Sequence, residues 1–104
     1  MAWVYLLAAG CMEIAWAVAL KQSQNFSQLV PSAIFIVTAI LSFLLLSLAL
    51  KQLPLGTAYA VWTGIGACGV AIIGMVFFGD GVSPARIAFL LMIGAGILGL
   101  KFTV

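Results

Sequence analysis

Histidine is absent from this chain of 104 residues, and charge is almost absent: only 6% of the residues are charged. Soluble domains carry roughly 25% charged residues, so no water-soluble surface can be built from this composition. The basic residues are Lys21, Lys51, Arg86 and Lys101; the acids are Glu13 and Asp80. Four scattered cations make no basic patch, so no nucleic-acid partner is expected. The lack of histidine, of a second acid in the apolar stretches, of a phosphate-binding loop and of a metal-ligand cluster leaves enzyme chemistry without support. The protein is read as a non-enzyme with no cofactor and no metal. Cys11 and Cys68 both fall inside apolar stretches, where a small buried hydrophobe is the expected role rather than a disulfide.

What is present is apolar length, with 66% of residues hydrophobic. Four runs of membrane-spanning length cover about 2–20, 31–50, 57–78 and 85–103, within a single four-helix transmembrane domain spanning 1–104. Lys21 to Gln28 is the one strongly polar stretch between them. Pro54 and Gly56 break the second junction. Ser83 is suited to cap the fourth helix, with Pro84 at its first position. The predicted fold is an all-α membrane protein with four transmembrane helices. Ala8-Ala9-Gly10-Cys11 superficially resembles a lipoprotein cleavage box, but no cation precedes the run and the run continues past Cys11.

Glu13 lies in the middle of the first run. A helix over 2–20 is about 28 Å long, so the carboxylate falls near the bilayer midplane. An acid at that depth is costly and by default marks a proton or cation site. Helical spacing sets Leu6, Ala9, Gly10, Glu13, Trp16, Ala17 and Leu20 on one face. The small residues would let another helix approach around Glu13. The lesser alternative for Glu13 is a structural hydrogen bond to a neighbouring helix, whereas packing alone would account for Trp16.

Tyr59 and Trp62 share a face of the third run, and aromatic rings attract cations away from water. Gly64, Gly66, Gly69 and Gly74 thin the same run. Close packing explains them, and Gly64 and Gly66 would also suit a conformational hinge. In the second run, Ser42 could donate its hydroxyl to a carboxylate in a dry site, although membrane serines usually bond their own helix. Its neighbour Phe43 would form an apolar lateral portal. Gly94, Gly96 and Gly99 give the fourth run small faces suited to helix pairing, with Gly96 and Gly99 expected in a dimer contact.

Orientation in a membrane follows the Lys/Arg bias. With four spans, Lys51 and Lys101 mark one side and Lys21 and Arg86 the other, a balance with no bias. Such a chain could insert both ways round. Alternating-access transporters are commonly built from two inverted halves, and a second, oppositely oriented copy would supply the half that this chain lacks.

These residues carry a family likeness. Over its full length the chain resembles the small multidrug resistance transporters. The shared elements are Glu13 in the first span, Leu20-Lys21-Gln22-Ser23 after it, and the long block from Lys51-Gln52-Leu53-Pro54 through Tyr59-Ala60-Val61-Trp62 to Gly66. It is more similar to the guanidinium-exporter branch than to the drug exporters. Trp16 stands where drug exporters typically have threonine, Ser42 also points to that branch, and Gly96-Ile97-Leu98-Gly99-Leu100-Lys101 stands where they typically end in asparagine. Phe89 replaces a dimer-packing glycine of many drug exporters, and Gly96 matches the second one.

The resemblance implies an antiparallel, dual-topology homodimer in the bacterial inner membrane that exchanges protons for guanidinium-type cations. It implies Glu13 as the shared proton and substrate site, lined by Trp16, Ser42, Tyr59, Trp62 and Gly10, with Lys101 a weaker carry-over. Two facing Glu13 carboxylates would titrate as a coupled unit. The rival expectations are a quaternary-ammonium exporter on the same scaffold and, in a different class, a non-transporting membrane subunit in which Glu13 is an assembly contact.

Overall fold

A computed structural model describes residues 1–103 as four helices: α1 (Ala2–Gln22), α2 (Leu29–Ala49), α3 (Leu55–Phe77) and α4 (Pro84–Thr103). All four are long and apolar enough to cross a bilayer. In hydrocarbon every backbone group must find its partner within the segment, which an unbroken helix achieves. Thr38 and Thr63 also satisfy their hydroxyls internally, donating to Ile34 O and Tyr59 O, each at 2.7 Å.

The ends have local causes. Ser23 closes α1: its N–H bonds Ala19 O at 2.9 Å and its hydroxyl bonds Leu20 O at 2.7 Å. Gln24, Asn25 and Phe26 then take left-handed backbone (φ 48°, 63° and 65°), which no right-handed helix can continue through. Helix α2 begins two residues before Pro31, earlier than the sequence suggested. Proline is tolerated in a first turn, where its missing N–H has no helical partner to lose. Helix α3 likewise starts at Leu55 and takes Gly56 into its first turn. The Ser83 cap forms as expected: Arg86 N–H donates to Ser83 Oγ at 3.1 Å, with Pro84 the first helical residue.

The helices lie in an open layer. Helix α1 packs on α2 and α3, and α4 packs mainly on α3. The extents are 41 × 35 × 16 Å, and the middle one is about the width of four helices side by side at 8–10 Å between axes. Leu6, Ala9, Ala58, Val61 and Trp62 form the centre, where α1 meets α3, and Ala49 and Leu53 close it from the end of α2. Not one residue of α4 is buried. Cys11, expected to be buried, instead faces outward from α1, because a one-helix-thick layer leaves that face uncovered; Cys68 is partly buried, and both are free thiols.

Two cation–ring contacts tie opposite ends of the layer. Lys101 Nζ lies 5.7 Å from the centre of the Trp3 ring, and Lys21 Nζ lies 4.6 Å from that of Phe78. The start of α1 and the end of α4 therefore share one side, and the ends of α1 and α3 share the other. That is the up-and-down order of four consecutive spans.

Candidate functional site

The α1–α3 contact is built on glycines. A Cβ on Gly10 would lie 2.7 Å from Ile65 Cγ2. Opposite it on α3, a Cβ on Gly69 would overlap Ile14, and one on Gly66 would overlap the Glu13 carboxylate. Small residues at these positions let the two backbones approach, and dispersion between close surfaces holds helices together in lipid. Gly66 is thus the seat of Glu13. Gly64 makes room for Ile97 of α4, whose Cδ1 would lie 2.8 Å from a Cβ there.

Glu13 is partly buried, and its Oε1 is enclosed without a hydrogen-bond partner. The Trp16 indole N–H, one turn on, is likewise enclosed and unpartnered. Leaving a buried polar group unpaired costs about 1–3 kcal/mol, and more when it is charged. Both residues line one cleft of ≈ 430 Å³, with Ala17, Thr63, Gly66 and Asp80 among its other walls. That volume lies within the range of small-molecule sites. The back of Trp16 is fixed by an edge-on contact to Phe35 (5.7 Å, 76°), which in turn meets Phe26 at 5.6 Å.

Ser42, Trp62, Tyr59 and Phe43 form a second cluster, on the Ala9 side of Glu13. Ser42 is fully buried; its hydroxyl donates to Ala9 O at 2.7 Å and accepts from Trp62 Nε1 at 3.0 Å. A hydroxyl has one proton to give. Here that proton goes to the α1 backbone, neither to Glu13 nor to a carbonyl of α2, the two partners that the sequence suggested. Ser42 acts instead as a rivet between α1, α2 and α3 that sets the plane of Trp62. Tyr59 and Phe43 flank that ring, each at 5.6 Å between centroids, and both are exposed at their outer edges.

The structure therefore brings Glu13 and Trp16 together in the cleft and places the aromatic cluster beside it, joined through Ala9, one turn before Glu13. Two polar cleft residues were not singled out from the sequence, Thr63 and Asp80, nor were the apolar Ala67, Val70 and Ala71. On α4, a Cβ added to Gly94, Gly96 or Gly99 would meet nothing within 4 Å. A larger groove of ≈ 720 Å³ between α3 and α4 is lined by apolar groups such as Ile72, Leu90 and Leu98, and no charged side chain faces it.

A layer of four apolar spans with one carboxylate within its helices, set at a cleft, is the architecture of a small multi-pass membrane protein. The chain belongs to the small multidrug resistance family, whose profile, described as Small Multidrug Resistance protein, matches residues 1–93. It is 53% identical over 103 residues to a protein of Salmonella typhimurium named Guanidinium exporter, covering 99% of this chain and 98% of that one. Proteins of Escherichia coli K12 and Citrobacter freundii with the same name are 52% identical over the same shares. These relatives and the four spans place the chain in the bacterial inner membrane as a multi-pass protein.

Proposed function

We propose that this chain is a proton-coupled antiporter that exports guanidinium or small guanidinyl cations, working as an antiparallel homodimer. The observation that carries the mechanism is the Glu13 carboxylate: it is the one acid within the four helices, and its Oε1 is enclosed without a partner beside a cleft of suitable size. The names of the relatives supply the substrate class.

A guanidinium ion is planar and presents N–H donors in pairs that match the two oxygens of a carboxylate. A proton neutralises the same oxygens. Proton and cation are then alternative ligands of one group, and each displaces the other. Exchange follows if the dimer alternates when loaded with either ligand and resists alternating when empty. With two Glu13 carboxylates in a dimer, two protons are exchanged for one monovalent cation.

Four features support pairing. The layer is open, α4 buries none of its residues, and Gly96 and Gly99 are exposed. The even split of Lys51 and Lys101 against Lys21 and Arg86 permits both orientations. Exposed Phe43 and Tyr59 beside Trp62 favour a second reading, in which alkylated quaternary ammoniums also bind. The test is purified protein in vesicles with a pH-sensitive dye inside. An outward guanidinium gradient should drive protons inward, and tetraalkylammonium ions should do so more weakly. A quaternary ammonium that drives protons where guanidinium does not would favour the second reading; no flux with any cation would leave only a non-transporting subunit.

A further inference from the structure

Asp80 belongs to the turn after α3, yet it lines the same cleft as Glu13. Gly79 takes a left-handed conformation (φ 71°) that folds the chain back, so that Asp80 N–H donates to Gly74 O at 3.0 Å. The carboxylate then rests against Gly74, where any Cβ would overlap its Oδ2. Gly66 seats Glu13 and Gly74 seats Asp80 on the same helix, so the two seats are about 12 Å apart along its axis. One acid is within the span; the other stands at its mouth.

The position of Asp80 is electrostatically unfavourable for an anion. The last turn of α3 is the negative end of the helix dipole, which attracts cations and repels carboxylates. The cations at this end are engaged elsewhere. Arg86, which shares an adjoining cleft with Asp80, donates from Nη1 to Gly81 O at 2.8 Å, and Lys21 lies over Phe78. Among the described residues no side chain pairs with the Asp80 carboxylate. The fold itself is held by the Asp80 backbone N–H, which any residue but proline would supply. The charge therefore has no structural task here, and it adds to the negative potential of the helix end.

We propose that Asp80 is a capture residue: an incoming guanidinium-type cation is held first by the Asp80 carboxylate at the cleft mouth and passes from there to Glu13. The inference rests on the export reading above. A charge that steers an ion into a cleft changes the rate of encounter more than the final affinity, and salt screens it.

The test is stopped-flow tryptophan fluorescence of purified protein mixed with guanidinium at low and at physiological ionic strength. Asp80→Asn should slow association about 3- to 10-fold at low salt. Dissociation should slow in proportion, leaving the equilibrium constant within about twofold. The difference should shrink at physiological salt, and Asp80→Glu should restore the association rate. An association rate unchanged by Asp80→Asn at low salt, in a wild-type protein that binds guanidinium, overturns the capture role alone. So does a weaker equilibrium affinity that arises only from faster release, since that is what a packing role gives. A wild-type protein that shows no guanidinium binding overturns this proposal and the export reading together.

Discussion

Gly66 of α3 lies directly under the Glu13 carboxylate of α1, so close that a methyl group there would occupy the position of Oε1. The site is therefore shaped by an absent side chain. Its acid is held by the packing of two helices, with Oε1 left free of any hydrogen bond.

Gly66→Ala should displace the Glu13 side chain while leaving the helices able to insert. Overpacking of this kind costs about 1–3 kcal/mol, so guanidinium affinity should fall roughly 5- to 150-fold. Gly56→Ala, in open space at the start of α3, should leave affinity unchanged. Titration calorimetry on both variants checks this, with a size-exclusion profile to show that each remains folded.

Ser42→Ala should weaken the binding of flat and alkylated cations to a similar extent. The lost hydroxyl strands the Trp62 N–H and removes the donor to Ala9 O, and a buried unsatisfied group costs about 1–3 kcal/mol. The damage reaches a cation through the tilt of the Trp62 ring. Competition binding of guanidinium against a tetraalkylammonium measures it; a loss confined to guanidinium would show that Ser42 does serve the Glu13 fork.

The contrast between what could and could not be read in the sequence lies in these residues. Four spans follow from composition and length, because a helix is the one open-ended answer to an apolar run in lipid. The Ser83–Pro84 start of α4 and the shared face of Tyr59 and Trp62 follow from local chemistry, at separations of one to three residues. The partner of Ser42 does not: it depends on the register of α1 against α2, across 33 residues. Asp80 joins the cleft only because Gly79 adopts a left-handed turn, and a glycine in a loop permits that conformation without announcing it. Gly66 was legible as a packing residue or a hinge; that it seats Glu13 required the α1–α3 contact.

Extra lysines in the 21–30 loop should fix one orientation of the chain, and extra lysines in the 51–56 turn should fix the other. Each fixed form alone should lose transport, and coexpression of the two should restore it. Cysteine labelling from either side reports orientation, and guanidinium tolerance of cells reports activity. Full activity from one fixed form would exclude the antiparallel pair.

The most direct measurement is guanidinium-driven proton flux in vesicles with Glu13→Gln beside the wild type. Glutamine keeps the shape of the side chain on Gly66 but can neither release a proton nor pair with a cation. The wild type should move protons against guanidinium, and its guanidinium binding should weaken by up to about 100-fold for each unit that the pH falls through the titration of the paired carboxylates. The variant should remain a folded protein with no flux and no pH dependence. Retained, pH-dependent exchange in Glu13→Gln would show that proton and cation meet at some other group.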